Sequence, residues 1–260
     1  MQQPHHTMLP PERLAQVRDM LRAQRVVRLD DLCGALGVSQ ATARRDLQEL
    51  ERLGEARRVH GGAVALGAGR LQEPFFDDKA GAATEEKARI ARHAAELVET
   101  GDTIFLDGGS TVVALARLLH DREDITVATN SLRAAMALSD GGPQVILVGG
   151  ELRRRSQSMV GPLTQALLQQ LHFDKAFMGT LGVSLAEGVT TTDPNEAFTK
   201  RAVMAQSAKK YLLADSSKLD KVTFARSGML QDFDALITDK QADAKFVSAA
   251  RKAGVRVVQA

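Results

Sequence analysis

The stretch from residue 38 to residue 54 decides the first part of the fold, and it runs Val38-Ser-Gln-Ala-Thr-Ala-Arg-Arg-Asp-Leu-Gln-Glu-Leu-Glu-Arg-Leu-Gly54. Ser39 is a typical helix N-cap and Gly54 a typical helix end, so the stretch predicts a helix that runs to Leu53. Helical periodicity gives this helix an apolar side and a polar side. The core side carries Ala43, Leu47 and Leu50, and the opposite side carries Ala41, Arg45, Gln48 and Arg52.

Two helical patterns precede this helix and a hairpin pattern follows it. The apolar residues of 11–24 recur at helical spacing, and a short helix over Leu29–Leu36 stops at Gly37. A short helix, a glycine turn and a longer capped helix predict a helix-turn-helix, whose second helix enters the major groove of DNA. Beyond it, alternating residues lead into Gly61-Gly62, which predicts the two-residue turn of a β-hairpin.

The polar side of the helix and the hairpin supply the candidate DNA contacts. The geometry fits base reading by Arg45 and Gln48, since arginine binds a guanine edge through two hydrogen bonds. The hairpin would form a basic wing against phosphate or the minor groove. The predicted DNA-binding residues are Ser39, Gln40, Thr42, Arg44, Arg45, Gln48, Arg57, Arg58 and His60.

A small helical bundle with an arginine-rich solvated face is the alternative explanation of this pattern. Two features favour DNA binding: no acidic residue occurs from Gly37 to Arg45, and the hairpin comes just after the long helix. We expect Asp46, which follows directly, to orient an arginine or to bond within the unit.

Positive charge is concentrated in the first quarter of the chain. The 260 residues contain 34 lysines and arginines against 32 aspartates and glutamates, a net charge of +2. Residues 1–66 hold ten arginines, no lysine and eight acids, so the whole excess lies there. This balance excludes a highly basic nucleic-acid coat and a polybasic membrane binder, whereas a sequence-specific DNA reader needs only local positive charge.

Cysteine content and hydropathy indicate the compartment. Cys33 is the only cysteine, which excludes an intrachain disulfide and a cysteine zinc cluster and suits a reducing cytoplasm. The first ten residues lack the apolar stretch of a secretory signal, and no run approaches the roughly 18 apolar residues of a membrane span. The histidines show no metal-ligand spacing. We therefore expect a cytoplasmic protein without metal or cofactor.

The remainder of the chain predicts an α/β unit. Residues 67–83 have loop composition, which predicts a linker between a winged helix-turn-helix over 1–66 and a second unit over 84–260. Strand and helix patterns alternate in the second unit and predict a mostly parallel sheet covered by helices. The predicted strands are Thr103–Leu106, Ile125–Thr129, Gln144–Val148, Ala176–Met178, Tyr211–Ala214, Ala235–Thr238 and Val255–Val258. The predicted helices are Glu85–Val98, Thr111–His120, Leu132–Leu138, Pro162–Leu171, Asn195–Ala208 and Gln241–Lys252.

Polar residues follow several of these strands. Asp107-Gly-Gly-Ser-Thr111 comes after the first strand and opens a helix, so its backbone N–H groups favour a phosphate. Thr129-Asn130, Gly149-Gly150 and Asp215-Ser-Ser-Lys218 end later strands, and the carboxyl ends of parallel strands meet at one edge of the sheet. This edge predicts a site for a small hydroxylated anion, because carboxylates bind hydroxyls and lysine binds phosphate.

Three features of the second unit have alternative explanations. The glycines of 107–111 also suit an ordinary strand-to-helix turn. Glu196 and Lys200, four residues apart on one helix face, also suit a surface ion pair. Arg153-Arg-Arg155 is best explained as a solvated turn, with a second phosphate grip or a subunit contact as alternatives.

Two sets of motifs resemble the DeoR family of bacterial transcriptional regulators. One is the stretch 38–54 with Arg57-Arg-Val-His-Gly-Gly-Ala63, and the other is Phe105-Leu-Asp-Gly-Gly-Ser-Thr111, Thr129-Asn130, Val148-Gly-Gly150, Glu196 with Lys200, and Leu213-Ala-Asp-Ser-Ser-Lys218. The resemblance covers about residues 11–240 and implies a sensor domain similar in fold to ribose-5-phosphate isomerase and coenzyme A transferases. The effector-binding residues that it implies are Asp107, Gly108, Gly109, Ser110, Thr111, Thr129, Asn130, Gly149, Gly150, Glu196, Lys200, Asp215 and Lys218.

This resemblance implies a repressor of a carbohydrate operon that binds operator DNA as a homo-oligomer, a dimer or a tetramer. A phosphorylated sugar would change its operator affinity. The alternative is a sugar-phosphate isomerase, with Glu196 or Asp107 as general base and Lys200 as electrophile. No nucleophile–base constellation is evident and a DNA-reading head has no role in isomerisation, so we expect no enzyme activity.

Overall fold

The computed structural model describes residues 10–24, 26–52, 56–59, 61–65 and 73–260. The chain divides into two units, Met1–Gln72 and Glu73–Ala260. The boundary falls inside the segment 67–83 that the sequence predicts as a linker, and residues 73–83 belong to the second unit.

Three helices and a small sheet form the first unit. Its helices are α1 (Pro10–Gln24), α2 (Leu29–Leu36) and α3 (Gln40–Arg52), and its strands are β1 (Val26–Arg28), β2 (Ala56–Val59) and β3 (Gly62–Ala65). The predicted helix-turn-helix is observed over α2 and α3. Gly37 ends α2 in the left-handed conformation at φ 63°, and the Thr42 N–H donates to Ser39 Oγ over 3.3 Å to cap α3.

Of the predicted turn residues Gly61 and Gly62, only Gly61 is a turn residue. Gly62 already pairs with Val59, so Gly62 belongs to β3 and is not a turn residue. The reason is β1, which the sequence analysis missed and which pairs with the other side of β3. A Cβ on Gly62 would lie 2.2 Å from the Val27 carbonyl oxygen, so the sheet requires glycine there.

We expect Gly62→Ala to destabilise the first unit by about 1–3 kcal/mol, because the new methyl group overlaps backbone that cannot move independently of the sheet. Gly34→Ala is the matched control, since a Cβ on this helical glycine meets nothing within 4 Å and alanine favours the helix by about 0.5–1 kcal/mol. Hydrogen exchange of core amides in the full-length protein measures both changes. Equal stability of the two variants would contradict the tight β1–β3 packing.

A seven-stranded sheet, parallel in every pair, forms the centre of the second unit, in the order β15-β14-β12-β9-β4-β5-β6. The seven predicted strands are the seven members of this sheet. Their observed bounds are β4 (Thr103–Leu106), β5 (Thr126–Thr129), β6 (Gln144–Leu147), β9 (Phe173–Gly179), β12 (Ser207–Leu213), β14 (Ala235–Thr238) and β15 (Val257–Gln259).

Helices cover the sheet and divide its side chains between two apolar cores. Phe105 packs into one core, and its neighbours Ile104 and Leu106 pack into the other. The predicted helices are all observed, with bounds α5 (Thr84–Ala95), α6 (Ser110–Leu118), α7 (Leu132–Leu138), α8 (Pro162–Leu168), α9 (Pro194–Ala205) and α10 (Ala244–Lys252). None of the helices in the described part of the chain is long and apolar enough to cross a membrane.

Several short elements of the second unit were not predicted. Helix α4 (Phe76–Gly81) lies in the predicted linker. Strands β7 (Glu151–Arg153) and β8 (Ser158–Val160) form a hairpin, and β10 (Gly182–Ser184), β11 (Gly188–Thr191) and β13 (Ala225–Gly228) form an antiparallel sheet. A 3-10 turn (Ser216–Lys218) follows β12.

Candidate functional site

Helix α3 presents the predicted polar side to solvent. The side chains of Ala43, Leu47 and Leu50 are buried in the core of the first unit. The residues predicted to read or approach DNA lie on the other side: Ser39, Gln40, Arg44, Arg45 and Gln48 are exposed, and Thr42 is half-buried. Gln40 donates to Asp30 over 3.0 Å and Ser39 caps the helix, so the side chains of Arg44, Arg45 and Gln48 form the exposed hydrogen-bonding row.

Asp46 anchors α3 to α1. Its carboxylate accepts two hydrogen bonds from Arg13, at 2.5 Å from Nε and 2.9 Å from Nη2. The hydrogen bond with Asp46 raises the pKa of Arg13. The fork geometry fixes the rotation of α3 about its axis, so Asp46 acts within the unit as the sequence predicts.

The wing is tied to the end of α3 through Arg58. The Arg58 N–H donates to Glu51 over 3.0 Å, and the guanidinium Nε donates to the same carboxylate over 2.7 Å. The backbone hydrogen bond is the main reason that the pKa of Glu51 is lowered. Two predicted wing contacts, the Arg57 side chain and His60, lie outside the described residues.

A cavity opens at the carboxyl ends of β4, β9 and β12 in the second unit. It spans about 520 Å³ including its open mouth. Eight predicted effector contacts line it: Gly108, Gly109, Ser110, Thr111, Glu196, Lys200, Asp215 and Lys218. The cavity therefore brings together the N-terminus of α6, one face of α9 and the 3-10 turn.

Lys200 and Glu196 form a buried network and not a surface ion pair. Lys200 Nζ contacts Asp107 Oδ2, donates to the Gly179 carbonyl over 3.0 Å and lies 3.7 Å from Glu196 Oε1. Burial opposes the charge of Lys200, but Asp107 and Glu196 outweigh it and raise its pKa. Burial raises the pKa of Glu196.

Asp107 lies behind the cavity wall and holds two strand ends together. The same carboxylate oxygen that contacts Lys200 accepts the Gly179 N–H over 2.9 Å. Asp107 is not among the described residues that line the cavity. Asp107 therefore positions Lys200 and the ends of β4 and β9, and it does not itself line the cavity.

Four other predicted effector contacts are likewise absent from the described lining. Thr129 Oγ1 donates to the Leu106 carbonyl over 2.6 Å, and the Asn130 side chain donates to the Met159 carbonyl over 2.9 Å. Gly149 and Gly150 follow β6, and the Gly149 carbonyl accepts from the Thr164 side chain over 2.8 Å. These residues shape the strand ends around the cavity.

Three charged residues of the lining were missed by the sequence analysis: Glu73, Lys79 and Lys87. Glu73 and Lys79 lie in the segment that was predicted as a linker from its loop composition, so they were not considered as cavity residues. Lys87 sits on α5 beside the Glu86 partner of Arg89 and looks like a surface residue by pattern, yet it is buried.

The interpretation of Arg153-Arg-Arg155 as a solvated turn is wrong for its first and third residues. Arg153 forms ion pairs with Glu73 at 2.6 Å, Glu196 at 3.2 Å and Asp193 at 3.4 Å. The Arg155 guanidinium lies 4.5 Å from the Phe75 ring centroid. Three carboxylates hold Arg153 and an aromatic ring holds Arg155. These partners lie far away in sequence, so residue spacing does not predict the contacts.

These observations define the class. A winged helix-turn-helix with an exposed polar recognition helix, on the same chain as an α/β unit with a charged cavity, is the architecture of a ligand-sensing DNA-binding regulator. The model of the DeoR-like helix-turn-helix domain matches residues 13–67, and the model of the DeoR C terminal sensor domain matches residues 82–240. The chain belongs to the DeoR family of transcriptional regulators.

Several relatives match nearly the full length of the chain. The lactose phosphotransferase system repressor of Streptococcus mutans is 39% identical and covers 92% of this chain and 95% of its own. The HTH-type transcriptional regulator GlpR of Haloferax volcanii is 36% identical over 96% and 98% of the two chains. A putative aga operon transcriptional repressor of Escherichia coli O157:H7 is 35% identical over 95% and 93%.

Among solved structures, ribose 5-phosphate isomerase A of Methanocaldococcus jannaschii matches with a TM-score of 0.40 and 20% identity. The match covers 52% of this chain and 54% of the other.

Proposed function

We propose that this regulator represses a carbohydrate operon and that a phosphorylated sugar, bound in the cavity of the second unit, changes its affinity for operator DNA. The observation that supports the proposal most is the pairing of backbone N–H groups at 108–111 with several lysines in one cavity. Relatives named as sugar-operon repressors support the same assignment. The protein would act in the cytoplasm.

A sugar phosphate suits both the cationic groups and the carboxylates of the cavity lining. Its phosphate would take the N–H groups of Ser110 and Thr111 at the start of α6, where the helix dipole favours an anion. Lys218 is half-buried in the lining and has no ion-pair partner in the described part of the chain, so it is available to the same phosphate. The carboxylates of Asp215 and Glu196 would accept hydrogen bonds from the sugar hydroxyls.

On the DNA side, Arg45 and Gln48 would read base edges, with Ser39, Gln40, Thr42 and Arg44 close to bases or phosphates. Arg57, Arg58 and His60 would form the wing. Operators with repeated half-sites require paired reading heads, so we propose that the chain acts as a homo-oligomer.

The isomerase alternative is not favoured. The relatives are named as transcriptional regulators, and the chain is a regulator and not an enzyme. The geometry disfavours one of the two candidate bases, because Lys200 and Gly179 hold the Asp107 carboxylate and Asp107 is absent from the described cavity lining. A general base must reach the proton that it removes.

A thermal-shift screen of pentose and hexose phosphates tests the sensor assignment. Ligand at about 100 times its Kd stabilises by about 2.7 kcal/mol, so we expect at least one phosphorylated sugar to raise the Tm by about 5–10 °C. The parent sugar without phosphate should give no shift, because it lacks the group that binds the α6 N-terminus and Lys218.

Lys218→Ala should reduce that shift at equal ligand concentration by removing a phosphate-binding charge. Lys252→Ala is the matched control, because Lys252 is an exposed lysine at the end of α10. If no phosphorylated sugar shifts the parent protein, or if Lys218→Ala responds like the parent, the assignment of the cavity is contradicted.

A further inference from the structure

We infer that Glu73 is an internal anion of the effector cavity, and that an effector phosphate competes with its carboxylate for Lys79 and so loosens the hold on the segment that leads to the DNA-binding unit. The inference rests on the proposed function, since it requires an anionic effector in this cavity. It names how the site would communicate with the rest of the chain.

Glu73 occupies the position that an anionic ligand group would take. Its carboxylate is almost wholly buried at the cavity, with Oε1 2.6 Å from Lys79 Nζ and Oε2 2.6 Å from Arg153 Nη2. The Thr192 hydroxyl donates to Oε2 over 2.9 Å. Burial opposes ionisation of Glu73, but Lys79 and Arg153 outweigh it and lower its pKa, so the carboxylate is charged at neutral pH.

Cavity residues also hold the rest of residues 73–83, which we call the anchor segment. Lys87 Nζ contacts the carbonyl oxygens of Lys79 and Ala82, and Ser110 Oγ lies 3.3 Å from the Lys79 carbonyl oxygen. Lys79, Lys87 and Ser110 all line the cavity. Lys87 and Ser110, which would bind an effector phosphate, are therefore also groups that hold the anchor segment in place.

A bound phosphate would take over these donors. Phosphate offers several strong acceptor oxygens, whereas Lys79 and Lys87 now satisfy one carboxylate and two carbonyl groups of the anchor segment. Lys79 cannot make a close ion pair with the phosphate and with the Glu73 carboxylate at the same time. Phosphate binding therefore weakens the Lys79–Glu73 contact, and this contact weakens phosphate binding. Thermodynamic reciprocity then requires that weakening the Glu73 contact tightens phosphate binding.

The position of Glu73 in the chain links this competition to the DNA-binding unit. Glu73 is the first residue of the second unit, directly after residues 66–72, which connect it to the DNA-binding unit. Without Lys79, Glu73 would be held only through Oε2, by Arg153 and Thr192, so phosphate binding would weaken the hold at the start of that connection. Arg153 would keep its ion pairs with Glu196 and Asp193, so the second unit can remain folded.

Glu73→Gln tests the inference, because it removes the charge and keeps the size of the side chain. We expect full-length Glu73→Gln to bind inorganic phosphate about fivefold or more tightly than the parent in calorimetric titration, the lower end of coupling between two sites. Asp77→Asn is the matched control: Asp77 lies in the same segment and pairs with Arg133 at 2.8 Å, but it does not line the cavity. It should bind phosphate like the parent.

Hydrogen exchange of the backbone amides of residues 73–83 measures the loosening of the anchor segment. We expect this exchange to be faster in the parent when phosphate is added, and fast without phosphate in Glu73→Gln. Thr192→Val, which removes one hydrogen bond to the Glu73 carboxylate, should shift both readouts in the same direction and serves if Glu73→Gln does not fold.

The outcomes separate the inference from the proposed function. If the parent and Glu73→Gln bind phosphate equally and residues 73–83 exchange at equal rates in both, while Lys218→Ala binds phosphate more weakly, the cavity assignment stands and the role of Glu73 is overturned. If neither protein binds phosphate or any phosphorylated sugar, the proposed function is overturned and the inference with it.

Discussion

We expect Lys200→Met to lower the free energy of unfolding of the second unit by about 3–5 kcal/mol, because removing one partner of a buried ion pair leaves the other charge uncompensated. Lys200 is 3% exposed and Asp107 2%. Methionine replaces most of the aliphatic stem, so the loss reports the charge and not a cavity. The carboxylates that lose their lysine partner are those of Asp107 and Glu196.

Thermal unfolding of the full-length protein measures this change, and a loss of this size lowers the Tm by roughly 6 °C or more for a unit of this length. Lys245→Met on α10 is the control, since Lys245 is exposed and its loss should change the stability by less than about 0.5 kcal/mol. Adding Asp107→Asn to Lys200→Met should recover part of the stability, because asparagine carries no charge and can still accept the Gly179 N–H. Equal Tm values for Lys200→Met and Lys245→Met would contradict the buried network.

We expect Arg45→Ala to weaken binding to the specific operator by about 1–3 kcal/mol for each reading head, which is 5- to 150-fold. Arg45 is exposed on the polar side of α3, and Asp46 beside it is fixed by Arg13. Because heads on symmetric half-sites act together, the loss in a paired complex is about twice as large.

Fluorescence anisotropy with the promoter fragment of the neighbouring operon measures the effect at a fixed salt concentration. Arg45→Lys should keep the charge but lose the two-pronged contact with guanine, so we expect it to resemble alanine on the operator and the parent on unrelated DNA. Arg117→Ala, an exposed arginine of the second unit, is the control. If Arg45→Ala binds the operator like the parent, α3 does not read bases through this residue.

Most of the fold could be predicted because it has local periodicity. The helical row Ala43, Leu47 and Leu50 and the seven apolar strands appear in the sequence as repeating patterns. Strand β1 has only three residues and exists because β3 offers it an edge, so no local pattern marks it. The same pairing explains why Gly62 resembles a turn residue in the sequence and is a strand residue in the structure.

The cavity could be predicted only where it is built from strand ends. Gly108–Thr111, Asp215 and Lys218 follow strands directly, and parallel topology brings such residues together. Glu73 and Lys79 precede the first predicted element of the sheet unit, and Thr192 and Arg153, the other partners of Glu73, lie far away in sequence. These contacts depend on tertiary packing, so the spacing of residues along the sequence does not predict them.

The most direct test of the regulator account is the operator affinity of the full-length protein with and without the phosphorylated sugar that gives the largest thermal shift. The account predicts that the sugar phosphate changes the Kd for the operator by about 5- to 150-fold, the usual range of coupling between two sites. It also predicts that Lys218→Ala binds the operator like the parent and loses most of that response. An operator Kd that is the same with and without a sugar phosphate already shown to bind the protein would contradict the account.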